Sequence, residues 1–244
     1  MKNTIERTIG QMVADDYRTA QIFKKYKIDF CCNGNRSIDE VAKEKNLNVQ
    51  ILLKEIDHIQ QRTGANQTDF NEVALDQLAD HIENKHHHYV ETQIPVLKQY
   101  LHKLCKVHGI RHPELFDINE HFNASAGELT MHMKKEELVL FPWIRKMIKV
   151  EQQNNLLGKP HFGTVKNPIA MMMQEHENEG ERFMLIAKLS NDYTPPEDAC
   201  TTYKVAFSLL KEFESDLHEH IHLENNILFP KAVTLENQLG KVSG

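Results

Sequence analysis

From Ala206 to Ile227 the apolar residues of this chain step through Leu210, Phe213 and Leu217 in alternating fours and threes, and two positions of that seam hold His220 and Glu224. That rhythm marks the inward face of a long helix in a bundle. The phrase is also repeated. "HIHLENNILFP" from His220 echoes "HMKKEELVLFP" from His132, each with a Glu one helical turn after the His and Phe-Pro close behind.

Three further seams are legible. One runs Leu129, His132, Glu136, Val139 and Trp143; another runs His87, Val90, Ile94, Leu97, Leu101 and Leu104. The last holds Ile169, Met172 or Met173, His176, Gly180 and Phe183. Every seam sends one His inward, and two add a Glu. His86 and His88 fall off the seam, and His81, His218 and His222 read as surface residues.

The four patterns cover 73–107, 119–149, 166–190 and 197–235, separated by segments that hold most of the Gly and Pro, and no strand pattern competes. The expected fold is all-α, an antiparallel up-down four-helix bundle. Pro95 predicts a kink in the first long helix. Phe141-Pro142 and Phe229-Pro230 read as packing and helix distortion, and Met171, Met172 and Met173 as core filler. Ahead of the bundle, a helical stripe from Ile9 to about Tyr26, a capping box at Ser37 and Glu40, and a cap at Asn48 predict a small three-helix domain. The polar stretch from Gln61 to Glu72 divides the chain into domains at 1–62 and 73–237. So small a unit needs to dock on the bundle or on a second chain, which makes a homodimer an expectation.

Composition excludes several classes of function. Among 244 residues, 29 Lys and Arg stand against 35 Asp and Glu with no long block of either sign, which argues against nucleic acid as a partner. No uncharged apolar run reaches the ~18 residues of a membrane span, and the charged N-terminus lacks the apolar region of a signal peptide, so a cytoplasmic location is expected. Four cysteines do not make a disulfide framework.

A carboxylate left unpaired in an apolar core costs several kcal/mol, and four histidines with two glutamates need a partner. Two metal ions supply it, with Glu136 and Glu224 bridging them and His87, His132, His176 and His220 completing the set. Six-coordinate ions held in this way, with one bridging oxo or hydroxo, keep two positions open. Imidazole with carboxylate suits iron, although zinc, manganese and copper accept the same ligands. Glu128, one turn before His132, and Glu175, beside His176, are candidates for supporting acids or solvated charges. Cys31 and Cys32 stand in a polar turn, "DFCCNGN", expected to be exposed, with a following helix N-terminus that favours thiolate. They are candidates for redox or sulfur-iron exchange. Cys105 and Cys200 read as structural.

"DFCCNGN" together with "HMKKEE", "MMQEH" and "HIHLENNILFP" resembles the iron-sulfur cluster repair di-iron proteins over nearly the whole chain. The resemblance implies a cysteine-bearing domain before a hemerythrin-like bundle with two non-haem iron ions, in a protein that protects bacteria from nitric oxide and oxidative damage. It carries the metal-ligand role to His87, His132, Glu136, His176, His220 and Glu224, and an acidic position near iron to Glu128 and Glu175. Where that family has Gly after the second Cys, this chain has Asn33 and then Gly34; Asn tolerates positive φ, so the turn is expected to survive. The implied role is a stress-response protein that donates iron to iron-sulfur protein clients rather than a turnover enzyme. The rivals are reversible capture of O2 or NO, NO- or O2-reducing di-iron chemistry, and a purely structural metal.

Overall fold

The computed structural model describes residues 7–61, 68–153 and 155–242, and their architecture is all-α with one isolated bridge between Thr8 and Ser37. The first expected helix is two. Helix α1 (Ile9–Asp15) ends where Asp16 turns extended, and the Asp16 carboxylate caps a short 3-10 turn, Tyr17–Thr19, that leads into α2 (Ala20–Lys25). The other two starts follow the sequence. Ser37 and Glu40 close the capping box of α3 (Ile38–Glu44), and the Asn48 side chain accepts the Gln50 N–H at the head of α4 (Val49–Gln60). Residues 62–67 of the expected domain boundary lie outside the described residues.

The first long helix comprises α5 (Leu75–His81), a wide turn Ile82–His87, and α6 (His88–His108), which continues through Pro95 on its exposed side. The second comprises α7 (Glu114–Lys135), a wide turn Glu136–Leu140 and α8 (Phe141–Gln153). It starts earlier than the apolar pattern predicts, directly after Pro113, whose fixed φ suits a helix entry. Helix α9 (Lys166–Leu189) is third. The fourth comprises α10 (Thr201–Leu223), a wide turn Glu224–Leu228 and α11 (Phe229–Val242). Helix α6 packs on α7 and α10, α7 packs on α9, and α9 closes against α10.

Two apolar clusters fill the interior. One joins α1–α4 to the half of the bundle around Leu101, Phe122, Phe183 and Phe213; the other gathers Leu78, Ile82, Leu140, Ile144, Met172, Leu228 and Phe229. Between them lies a belt of buried polar groups: His87, His132, Glu136, His176, His220 and Glu224.

The small N-terminal unit docks on α10 and on the turn Glu224–Leu228 of its own chain. This overturns the surface reading of His218 and His222, and Phe70 does the same for His81. His222 is buried against Tyr17 and Phe30, His218 is half-buried against Phe30, and His81 is half-buried against Phe70. A bundle helix read alone shows one inward stripe; here a second face is covered by the unit in front. Inside the unit Gly10 and Gly34 approach closely, and a Cβ on Gly10 would meet Asn226 of the bundle. The Gly10 N–H donates to the Gly34 carbonyl at 2.7 Å, and a Cβ on Gly34 would lie 2.4 Å from the Phe30 carbonyl.

Other expectations are corrected locally. Met172 is core, whereas Met171 and Met173 are exposed on the outer face of α9. Cys200 is exposed at the head of α10 with the His108 imidazole 3.3 Å away, so it fills no core position.

Candidate metal centre

All three wide turns have i→i+5 hydrogen bonding, and all three carry residues of the polar belt. The Phe141 N–H reaches back to the Glu136 carbonyl and the Phe229 N–H to the Glu224 carbonyl. Pro142 and Pro230 follow immediately and have no N–H to donate, so the hydrogen-bond ladder changes step there. Each wide turn accommodates an extra residue, which has two consequences. After Glu136 the inward seam slips by one, so Leu140 is fully buried where Val139 was expected. In the first helix, His86 and His87 both face the interior, and His86, read as off the seam, is 0% exposed.

The belt residues converge. One ligand atom from each of His87, Glu136, His220 and Glu224 lies within 4.8 Å of the others, and the same holds for His132, Glu136, His176 and Glu224. Both carboxylates belong to both groups, which is the arrangement two bridged ions require. The nearest approaches are His87 Nε2 and His132 Nε2 to Glu136 Oε2, each 3.3 Å, and His176 Nε2 and His220 Nε2 to Glu224 Oε2 and Oε1, each 3.1 Å. His132 Nε2 and His176 Nε2 face each other at 3.1 Å. That matches the edge expected when two nitrogens at ~2.1 Å share one ion at a right angle.

The set fits metal on a further ground. Glu136 and Glu224 are 0% exposed, and none of their four carboxylate oxygens has an aligned hydrogen bond. Buried carboxylates are not normally left so. Burial pushes both carboxyls up and the surrounding imidazoles outweigh it, so both stay on the acid side of the usual range. Burial likewise lowers His132, but Glu136 and Glu175 hold it up to about 10.

The outer ring nitrogens are also placed. His132 Nδ1 meets Glu175 Oε2 at 2.8 Å, His87 Nδ1 meets Glu137 Oε1 at 3.0 Å, and His176 Nδ1 meets Asn225 Oδ1 at 2.9 Å. Each contact fixes the tautomer that leaves Nε2 free for an ion. Glu175 is also paired with Lys135, and its hydrogen bond to His132 holds its carboxyl down at about 2. Glu128 lies elsewhere. It is largely exposed and pairs with Arg182 at 2.8 Å, beside a buried Glu179 that accepts from Ser125.

The repeat now has a complete explanation. In the first copy, His132 and Glu136 face the centre, Glu137 hydrogen-bonds His87, and Phe141 stacks on His87 with ring centroids 5.6 Å apart and planes at 16°. In the second copy, His220 and Glu224 face the centre, Asn225 hydrogen-bonds His176, and Phe229 stacks on His176 at 5.9 Å and 3°. Each copy thus offers two inward donors and clamps the His of a different helix. Sequence reasoning missed Glu137 and Asn225, although their equal place after the two glutamates was a usable signal.

The cysteine turn abuts the centre. The Cys32 thiol donates to the His176 carbonyl at 3.3 Å, and Asn225 Nδ2 donates to the Cys31 carbonyl at 3.2 Å. Cys31 is 4% exposed and Cys32 half-buried, which corrects the expected exposure. The neighbouring thiol, burial and Asp29 push the Cys31 thiol up, opposite to the expected helix effect. Asn33 does not use positive φ; its side chain donates to Asp29 Oδ2 at 2.7 Å instead.

Comparison with known proteins decides the family. The hemerythrin HHE cation binding domain matches residues 78–232, and a domain of unknown function, DUF542, matches residues 5–60. A probable iron-sulfur cluster repair protein of Haemophilus influenzae is 34% identical over 93% of this chain and 97% of its own. The chain belongs to the iron-sulfur cluster repair family. The iron-sulfur cluster repair protein YtfE of Enterobacter sp. is 32% identical over 95% of this chain and 98% of its own. ScdA of Staphylococcus haemolyticus, named for the same repair, is 31% identical over 93% and 98%. Among the described residues of this repair-family chain, no helix is long and apolar enough to cross a membrane.

Proposed function

We propose that this chain holds two non-haem iron ions, joined by an oxo or hydroxo bridge, and delivers iron to iron-sulfur clusters damaged by oxidative or nitrosative stress. His87 and His220 would hold one ion and His132 and His176 the other, with the Glu136 and Glu224 carboxylates available to both. The division of labour follows the chain, with the cysteine-bearing domain at 1–62 and the iron-holding bundle at 73–237. When bound, the iron pair supplies redox change and exchangeable positions for small molecules such as NO or O2. Iron is the cargo, and its clients are cytoplasmic iron-sulfur proteins.

The chain's own groups suit release as well as retention. Were an ion to leave, His132 Nε2, 3.3 Å from Glu136 Oε2, would be free to take up a proton and supply that carboxylate with a counter-charge. Glu175 keeps the opposite ring edge oriented throughout. One observation carries the reading: the Cys32 thiol is hydrogen-bonded to the backbone of His176. A reversible gas carrier has no need of a thiol pair docked on its cage.

The test is transfer. Iron-loaded protein is mixed with a [4Fe-4S] enzyme inactivated by NO, and client activity is followed alongside iron content. Recovery matched by iron lost from this protein supports donation. Full iron retention through repeated NO cycles supports capture, and sustained NO consumption supports turnover; either result defeats donation.

A further inference from the structure

Beside the His/Glu cage lies a second group of metal-binding atoms on a different element. Asp29 Oδ1, Cys31 Sγ and Cys32 Sγ all lie within 4.8 Å of one another. Cys31 Sγ is 3.4 Å from Asp29 Oδ1 and 3.8 Å from Cys32 Sγ. Metal–sulfur bonds of ~2.3 Å at the tetrahedral angle put two sulfurs ~3.8 Å apart, and one bond to oxygen at ~2.0–2.2 Å gives an S···O edge of ~3.5 Å. Both edges are present.

The turn is built to keep this spacing. Asp29 Oδ1 accepts the N–H groups of Cys31 and Cys32 at 3.0 and 2.9 Å, and Asn33 holds Oδ2. Asn225 and Asn226 hold the Cys31 carbonyl from the bundle. Gly180 of α9 leaves room for the second thiol: a Cβ there would lie 3.2 Å from Cys32 Sγ. Cys31 is sealed inside while Cys32 is half-buried, so an ion has one open side from which to enter and bind a further ligand.

Asp29 alone reads as a turn-capping residue, and adjacent cysteines alone read as a redox pair. Capping brings both thiols near the carboxylate oxygen but gives no use to two sulfurs set 3.8 Å apart. The second requires an S–S bond between neighbours, which closes a strained ring.

We propose that Asp29, Cys31 and Cys32 form a third metal site, separate from the cage, that binds one borderline or thiophilic divalent ion of the ferrous, zinc or cobalt class with one position open to an incoming ligand. Two sulfurs with one oxygen select such ions over magnesium or calcium. Binding is a ligand exchange without electron transfer: the ion enters, both thiols become thiolates and two protons leave to solvent. If iron donation is the function, this is the stop at which an ion is handed to a client; that role rests on the reading above, whereas the binding does not.

The probe is cobalt(II), added anaerobically to reduced, iron-loaded full-length protein. The expected result is a near-ultraviolet thiolate-to-cobalt charge-transfer band that saturates at one cobalt per chain, with two protons released and iron content unchanged. Cys32→Ser should abolish the band. Asp29→Asn keeps the acceptor that holds the turn and should weaken cobalt binding about tenfold or more. Cobalt bound without the band, or a band that survives Cys32→Ser, overturns the site. A band present in a protein that fails to transfer iron defeats the donation reading and leaves the site standing.

Discussion

His176 presents its Nδ1 to Asn225 Oδ1 at 2.9 Å, while the Asn225 amide nitrogen donates to the Cys31 carbonyl at 3.2 Å. One side chain therefore ties a cage imidazole to the thiol turn. Asn225 is a positioning residue. Asn225→Ala removes the anchor of His176 but no inward donor, so iron loss to an external chelator should accelerate about 10- to 100-fold. Glu137→Ala should do the same through His87. An unchanged release rate in both variants would show that neither imidazole needs its outer partner.

Removing metal should cost stability. The cage residues are scattered over four helices, so ions bound only by the folded chain hold those helices together. At an ion concentration about 100-fold above Kd the linkage is worth ~2.7 kcal/mol. For a chain of this size that is a Tm shift of about 5–10 °C for each ion removed by chelation. Glu136→Gln should abolish most of the shift. A Tm indifferent to chelation would mean that the centre does not bind metal tightly in the native state.

The boundary of sequence reasoning lies at the wide turns and at the docked domain. The His of every seam and the Glu of two were readable because a polar residue in an apolar rhythm is conspicuous, and all six converge. His86, Leu140, Glu137 and Asn225 were not, because a steady step of three and four cannot anticipate an extra residue in a turn. His222 was misread for another reason: its cover, Tyr17 and Phe30, comes from far along the chain. Glu128 and Glu175 were each open to a supporting or a solvated role; Glu175 hydrogen-bonds His132, whereas Glu128 pairs with Arg182.

Asp216, one turn before His220 and bonded to His86, gives a pH signature at the edge of the cage. Burial raises its carboxyl from 3.8 to about 6, and its Oδ1 meets the His86 ring at 3.0 Å. A raised carboxyl contributes stability that is full below its unfolded pKa and lost as pH rises through about 6. Asp216→Asn in metal-free protein should therefore add on the order of 2 kcal/mol near pH 8 and almost nothing near pH 4. Denaturant titrations at the two pH values check this. A gain confined to the acid side would reverse the sign and exclude the assignment.

The central claim is that two ions sit between Glu136 and Glu224. Anomalous diffraction at the iron edge from crystals of iron-loaded protein tests it directly. Two peaks are predicted, one beside His87 and His220 and one beside His132 and His176, with both carboxylates between them. A single peak between the two carboxylates, or no iron among those six side chains, would contradict the account.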